Sequence, residues 1–186
     1  MKRAIIGSLA AIVLLSGTSF AFNGQRRGFV LGGGAGIAAT SKWKVEVPIW
    51  NATVGVDESA AGVAFQFIIG GAFDDNNMLV YEGNAAMYNS DFFDESVGQA
   101  FNGAAWYHYF GAVGKSAFST VGLGLQYFKV GDFDATDPGI ALLLGGGYEF
   151  ARHWQAGVYI SFGKTKDAGV DFEHSHLSFI VSGIAF

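Results

Sequence analysis

Residues 62–73 read GVAFQFIIGGAF, and they alternate with a period of two. One parity holds large apolar residues and the other holds mostly small or polar ones: Val63, Phe65, Phe67 and Ile69 against Gly62, Ala64, Gln66 and Gly70. A period of two sustained over such a stretch is typical of a β-strand. A strand with one apolar face and one small, polar face is the pattern of a transmembrane barrel, whose outer face contacts lipid.

The same alternation recurs along the chain, and it predicts eight strands in all, beginning near residues 28, 62, 79, 101, 120, 140, 154 and 177. The connections alternate in length. Those at 74–77, 113–116 and 151–154 are tight, and those near 40–58, 90–99, 130–138 and 164–173 are long and carry most of the acidic residues and both prolines. The expected fold is an all-β, eight-stranded antiparallel transmembrane β-barrel with short periplasmic turns and longer extracellular loops. A soluble barrel is the structural alternative, but it would place its large apolar residues inside.

The N-terminus, MKRAIIGSLAAIVLLSGTSFA, has the layout of a secretory signal peptide. Lys2 and Arg3 precede an apolar run that ends at Leu15, which is too short for a membrane-spanning helix. We therefore divide the chain into a signal peptide, residues 1–21, and a barrel domain, residues 22–186. Removing the signal changes the formal net charge from -5 to -7. The chain has no cysteine, so disulfides and thiolate chemistry are excluded.

With these features the chain resembles the small eight-stranded outer-membrane barrels of Gram-negative bacteria, the opacity-like and outer-membrane-protein-A-like group. The resemblance rests on the signal peptide, the opening strand GFVLGGGAG at 28–36, the hairpin GYEFARHWQ at 147–155 and the terminal Phe186. It implies an integral outer-membrane protein surrounded by outer-membrane lipids and lipopolysaccharide. In that group the terminal aromatic residue belongs to the signal that the barrel-assembly machinery reads. Its members serve as anchors, adhesins, small pores or enzymes, so the resemblance does not select a function.

The small, polar face of the predicted strands defines the lumen. Its polar members are Glu82, Asn84, Asn102, His108, Gln126, Glu149, Gln155 and Tyr159. They could form a file that passes protons or small solutes, with Glu82, His108 and Glu149 as the titratable groups. Because eight strands leave an interior only about wide enough for side chains, a buried hydrogen-bond network is the favoured interpretation.

Aromatic residues near the predicted strand ends are expected at the membrane interface, where amphipathic rings are favoured. They are Trp43, Tyr107, Tyr109, Tyr127, Tyr148, Trp154 and Phe162.

Two further constellations suggest chemistry. His176 and Ser178 share a strand face, at a spacing at which a base could activate a nucleophile, and this faintly resembles outer-membrane lipid A deacylases. Asp132, Asp134 and Asp137 could gather oxygens around calcium, although their spacing does not match a full calcium loop. Neither is convincing, and we assign no catalytic residue, metal ligand, cofactor or nucleic-acid partner.

The expected function is a non-enzymatic structural or surface-interaction role through the acidic extracellular loops, with an unidentified surface partner. A narrow pore for small solutes or ions is the alternative, and a lipid-modifying enzyme is the third. The first long segment, SKWKVEVPIWNATVGVDES at 41–59, continues the strand alternation. It could project as a hairpin and offer an edge to a partner strand, or fold over the barrel mouth as a plug.

The last strand, HLSFIVSGIAF at 176–186, leaves its orientation open. Either Phe186 faces lipid throughout, so that Phe179 and Val181 fill the lumen and Ser178 and Ser182 face lipid, or a β-bulge near Ser182 and Gly183 shifts the phase. In the second case Leu177, Phe179, Val181, Ile184 and Phe186 all face lipid.

Overall fold

The protein is described by a computed structural model that covers residues 25–49, 52–132, 135–167 and 170–186. The predicted signal peptide lies outside these residues. The strands are β1 (Gly28–Ile49), β2 (Ala52–Ala72), β3 (Asn77–Ser90), β4 (Glu95–Tyr109), β5 (Ser116–Val130), β6 (Gly139–Ala151), β7 (Trp154–Asp167) and β8 (Val170–Ala185). Each pairs antiparallel with the next, and β8 pairs with β1, so that the sheet closes. The predicted all-β, eight-stranded antiparallel barrel is confirmed.

The two ends of the barrel differ. Residues 25–27, Phe186 and the turns at 73–76, 110–115 and 152–153 lie at one end, here named the terminal end. The connections β1–β2, β3–β4, β5–β6 and β7–β8 lie at the other, here named the loop end. In outer-membrane barrels the longer extensions are extracellular, and here β1 and β2 extend at the loop end to Ile49 and Ala52, so we assign the loop end as the extracellular one.

Two of the four predicted long loops are largely strand, whereas residues 91–94 and 131–138 connect strands as expected. The segment near 40–58 was expected to be a loop, but β1 continues to Ile49 and β2 begins at Ala52. Likewise β7 reaches Asp167 and β8 begins at Val170. A strand that extends beyond the membrane can carry charged and polar residues on both faces. The alternation of apolar residues is therefore lost in the sequence, although the strands remain paired.

The outer face of the barrel is an apolar belt. Large side chains point away from the lumen on every strand, among them Phe65, Leu123, Ile140, Val158 and Phe179. In water such a surface would be strongly unfavourable, whereas in a bilayer it contacts acyl chains, and the closed ladder leaves no backbone edge in lipid. Among the described residues there is no helix long and apolar enough to cross a membrane.

Rows of inward glycines make room for rings inside the barrel. A Cβ placed on Gly147 would come within 2.8 Å of the Phe118 ring, and one on Gly145 within 2.6 Å of the Tyr159 ring. Gly103 stands in the same relation to the Phe101 ring, at 2.8 Å. The space that side chains at these glycines would occupy is therefore filled by aromatic rings from other positions. The inward glycines do not mark an open channel.

A β-bulge reverses the alternation of β1. Ala38 pairs with Gly62 of β2, and the next aligned pair is Ser41 with Ala60, so β1 has one extra residue between them. The pairing with β8 shifts at the same place. As a result Ala38 and Ser41 both point inward, and Trp43, which the unshifted alternation would place on the outer face, is buried in the barrel mouth.

Both predicted orientations of the last strand are wrong. Phe186 points inward and is buried, and its ring lies 4.7 Å from the His153 ring. Pairing runs without interruption through Gly183 on both sides, opposite Gly33 of β1 and Trp154 of β7. Without a bulge, Phe179 and Val181 face lipid. The inner row of β8 is His174, His176, Ser178, Ile180, Ser182, Ile184 and Phe186, which suits a lumen of mixed polarity better than a lipid face.

Candidate functional site: the barrel lumen

The terminal end of the lumen is closed by Arg26, which precedes β1. Its side chain is fully buried and its guanidinium group pairs with the Glu149 carboxylate of β6. The guanidinium carbon lies 3.5 Å from the centroid of the Tyr109 ring, a cation–π contact, and 5.7 Å from the centroid of the Phe186 ring. Glu149 also accepts a hydrogen bond from the backbone N–H of Gly114, at 2.9 Å. The ion pair thus seals this end of the barrel, with the charge of Arg26 paired and its Nε without a hydrogen-bond partner.

The adjoining turn at 73–76 supports this closure. The backbone carbonyl of Asp75 accepts a hydrogen bond from the Arg26 side chain, and the Asp75 carboxylate accepts one from the Arg26 backbone at 3.1 Å. Within the same turn, Asn77 Nδ2 and the Asn76 backbone N–H donate to Asp74 Oδ1, at 2.9 and 2.7 Å. These hydrogen bonds hold the pKa of the Asp74 carboxyl below its usual value.

A second layer lies next to the ion pair and is centred on Glu82 of β3. Gln66 Nε2 and Tyr107 Oη each donate to one of its carboxyl oxygens at 2.7 Å. Gln66 in turn accepts a hydrogen bond from the Ser182 hydroxyl. Beside this group, Tyr109 Oη donates to Gln155 Oε1 at 2.8 Å. These hydrogen bonds link β2, β3, β4 and β8 around Glu82, and the Tyr109–Gln155 bond links β4 to β7.

A third layer, nearer the loop end, contains two histidines of β8. His176 lies between Ser161 Oγ and Asn84 Oδ1, each 2.9 Å from a ring nitrogen. His174 Nε2 lies 2.6 Å from Thr165 Oγ1.

Buried polar atoms without a protein partner occur at several levels of the lumen. Both amide atoms of Gln126, Thr120 Oγ1 and Asn84 Nδ2 are among them. Buried polar groups of this kind are ordinarily satisfied by water, so the lumen is suited to hold water at more than one level.

The loop end is closed by an apolar cluster, here named the mouth cluster: Trp43, Tyr88, Val97 and Phe128. The Trp43 and Phe93 rings stack with their centroids 4.8 Å apart. Trp43 Nε1 donates to Glu58 Oε2 at 2.7 Å, and Glu58 Oε1 accepts from the Asp91 backbone at 2.7 Å. The lumen is therefore capped at both ends, by an ion pair at one and by aromatic rings at the other.

The predicted lumen residues divide into two groups. Six of them point inward and take part in the layers above or lie beside them: Glu82, Asn84, Gln126, Glu149, Gln155 and Tyr159. The prediction for Asn102 and His108 is wrong, because both point outward: Asn102 accepts from Tyr81 Oη at 2.9 Å, and His108 Nδ1 lies 3.0 Å from Asn77 Oδ1.

The predicted interface aromatics also divide. Tyr148, Trp154 and Phe162 are exposed on the outer face, and Tyr127 is half-buried there. The interface prediction is wrong for Trp43, Tyr107 and Tyr109, because all three point into the lumen. Trp43 is redirected by the β1 bulge. The rings of the two tyrosines fill the lumen, and their hydroxyl groups form hydrogen bonds with buried polar side chains. Because the more apolar face of β4 was assumed to face lipid, the prediction exchanged its inner and outer faces.

Arg26 and Gln66 complete the network but were not among the predicted site residues. Gln66 sits on the small face of β2, where its parity was visible in the sequence. Arg26 precedes the first strand, so no periodicity marks it. The sequence feature that could have indicated Arg26 as a lumen residue is its position close to the first strand, in a barrel with an inward glutamate.

The other two constellations do not assemble a site in the described residues. His176 and Ser178 share the inner face, but His176 bonds to Ser161 and Asn84, and Ser178 Oγ has no hydrogen-bond partner. Asp134 lies outside the described residues. Within the described ranges, no group of three or more histidine or acidic side chains is placed to hold a metal ion.

No family model matches the chain, and no curated protein is matched either. Solved structures do match. The chain is similar to Neisserial surface protein A, with a TM-score of 0.53 and 13% identity over 83% of this chain and 96% of that one. It is similar to OprG from Pseudomonas aeruginosa, with a TM-score of 0.52 and 13% identity over 87% and 97%. A weaker likeness, with a TM-score of 0.46 and 9% identity over 84% and 97%, is to the outer membrane protease OmpT from Escherichia coli.

At these identities the likeness shows the fold and not a ligand or an activity. It agrees with the closed ladder and the outward apolar belt described above. The chain has the closed eight-stranded fold of these outer-membrane β-barrels, and its outward apolar belt is suited to contact with lipid.

Proposed function

We propose that the protein is a closed, non-enzymatic outer-membrane scaffold that acts through its extracellular rim. The observation that carries the proposal is the double closure of the lumen, by the Arg26–Glu149 ion pair and by the mouth cluster. A solute would have to break a buried ion pair and displace packed aromatic rings, and both are costly.

The rim has a feature suited to surface interaction. β3 pairs with β2 only between Gly62 and Ala72, whereas β2 continues to Ala52 and remains paired with β1. Residues 52–61 therefore extend the barrel as part of a two-stranded hairpin with one strand edge not covered by β3. An edge of this kind can accept an extended segment of a partner by main-chain hydrogen bonding. The plug alternative is not favoured, because β1 and β2 stay paired to Ile49 and Ala52.

Solute flux tests the closed lumen. Proteoliposomes that contain the refolded protein are expected to swell in isotonic sugar no faster than protein-free liposomes, while a wide porin reconstituted in the same lipid gives fast swelling. Swelling by this protein that depends on sugar size would support the pore instead.

The surface role has a separate test. Cells that display the full chain are compared with cells that display a variant shortened by residues 47–54, with the hairpin rejoined. Adhesion to epithelial monolayers is expected to fall in the shortened variant, while heat-modifiable migration on a denaturing gel shows that the barrel still folds. Equal adhesion by both would contradict a role for the hairpin.

A narrow pore remains the second candidate, because one observation favours it. Buried polar atoms of Gln126, Thr120 and Asn84 have no protein partner, which suits the lumen to hold water between its two closures. For this candidate to hold, either the ion pair or the mouth cluster would have to open.

A further inference from the structure

A groove lies on the outer surface of the barrel at the loop end, outside the lumen. It runs across β6, β7, β8 and β1 and has a volume of about 1050 Å³. That volume is at the upper end of the range for small-molecule sites. The groove lies where the charged rim gives way to the apolar belt, so one part of it faces water and another faces acyl chains.

The strand register aligns the lower edge of the groove. Lys42 of β1 is opposite Ser175 of β8, and Ser175 is opposite Phe162 of β7. The same row continues through Leu142 of β6 to Leu123 of β5. A single row thus passes from a cation to three exposed apolar side chains, and Ile140, 77% exposed, lies beside it.

The next outward rows carry charge. Lys44 is opposite Glu173, and Glu173 is opposite Lys164, with which it forms an ion pair. Lys166 pairs with Asp171, with 3.1 Å between Nζ and Oδ1. All of these ion-paired side chains are more than half exposed, so their interactions are weak and an anion can compete for the lysines.

The distribution of cations around the rim is uneven. Lys42, Lys44, Lys164 and Lys166 line the groove, together with the carboxylates Asp137, Asp171 and Glu173. Elsewhere around the described part of the loop end, Lys129 is accompanied by Glu58, Asp91, Asp94, Glu95 and Asp132. The groove therefore holds four of the five lysines of the loop end, and in the ladder Asp57 lies opposite Lys44 and Glu46 opposite Asp171.

We propose that this groove binds the phosphorylated disaccharide head of a lipid A molecule, with its acyl chains along Phe162, Leu142 and Leu123. Lysine ammonium groups form charge-assisted hydrogen bonds with phosphate oxygens. The carboxylates of the groove can share the divalent cations that lie between such phosphates. An apolar floor continuous with the lipid-facing belt favours an amphiphile of the same leaflet over a soluble anion.

Binding of purified lipids to the refolded full chain tests the site. The probes are bisphosphorylated lipid A, its chemically dephosphorylated form and phosphatidylglycerol, each titrated in detergent and followed by native mass spectrometry. The wild-type protein is expected to bind bisphosphorylated lipid A in preference to both other lipids. The variant Lys42→Gln/Lys164→Gln is expected to bind it on the order of tenfold more weakly, because each lysine near a phosphate adds modestly to binding.

The matched control is Lys115→Gln/Lys129→Gln, which removes the same charge at positions outside the groove and is expected to bind lipid A as the wild type does. Equal weakening in both double variants would overturn the site, since it would show only a net-charge effect. Equal binding of lipid A and phosphatidylglycerol, or of lipid A and its dephosphorylated form, would overturn the choice of ligand.

Heat-modifiable migration establishes that each variant is folded. If the groove variant does not fold, the proposal is still tested by comparing how tightly the wild-type protein binds lipid A and its dephosphorylated form. Equal binding of the two lipids would contradict the proposal. A failure of the lipid-binding proposal does not affect the proposal of a closed lumen, because the groove and the lumen lie on opposite sides of the barrel wall.

Discussion

At the scale of single residues, the lumen is held by a few buried polar groups that depend on one another. Arg26 and Glu149 are both buried, and each is the charged partner of the other. Glu82 relies on Gln66 and Tyr107 in the same way. Removing one member of such a set leaves the other buried without its partner, which costs more than the interaction itself contributes.

The ion pair gives the first prediction. Arg26→Met is expected to destabilise the folded barrel by about 3–5 kcal/mol, because it leaves the Glu149 carboxylate buried without its cation. The double variant Arg26→Met/Glu149→Gln is expected to recover a large part of that loss. Urea unfolding in lipid vesicles measures both. A double variant no more stable than Arg26→Met would contradict the pairing.

Tyr107 gives the second prediction. Tyr107→Phe removes one hydrogen-bond donor from buried Glu82 and is expected to cost about 1–3 kcal/mol of unfolding free energy. Tyr81→Phe is the matched control, since it removes the same hydroxyl from an exposed hydrogen bond to Asn102. Its expected cost is within about 0.5 kcal/mol. Equal costs in the two variants would show that Tyr107 does not point into the lumen.

At the scale of elements, the extra residue in β1 has the largest consequence. It lies between Ala38 and Ser41, in a stretch without glycine or proline, and it changes which face of the strand enters the barrel. Through it Trp43 reaches the mouth cluster and bonds to Glu58. Beyond the bulge, β1 forms one strand of the β1–β2 hairpin, which extends past the end of the pairing between β2 and β3.

Fluorescence of single-tryptophan variants tests the orientation that the bulge imposes. Trp43 is buried in protein, so its emission is expected to resist both acrylamide and brominated lipids. Trp154 is 52% exposed on the outer face near the terminal end, and brominated lipid is expected to quench it. Strong quenching of Trp43 by either agent would mean that β1 continues in its original phase.

The last strand combines packing with a proposed role in assembly. Phe186 packs beside Arg26 and His153, and the resemblance assigns the terminal aromatic to recognition by the barrel-assembly machinery. Phe186→Leu keeps an apolar side chain, so spontaneous refolding into vesicles is expected to remain near the wild-type level. Insertion in cells is expected to fall, as measured by the unfolded fraction on unboiled gels. Normal insertion in cells would contradict the recognition role.

At the scale of the whole molecule, the sequence predicted the barrel because lipid exposure imposes a simple rule on outward residues. Phe65, Leu123 and Val158 had to be apolar, and their alternation was visible. The interior follows no such rule: Tyr107 and Phe101 line the lumen beside Glu82 and Gln66, so polarity does not identify the inner face of β4. Arg26 lies outside any periodic segment. The groove depends on Lys42 and Lys164, which are far apart in the chain and meet only when β8 closes the sheet between them.

The central claim is that side chains close the lumen at both ends, and single-channel recording of the refolded wild-type protein in planar bilayers tests it most directly. The account predicts no steady conductance steps above the protein-free baseline, and no change in Glu82→Gln. A steady open channel in the wild type, with a conductance that changes in Glu82→Gln or Glu149→Gln, would contradict it.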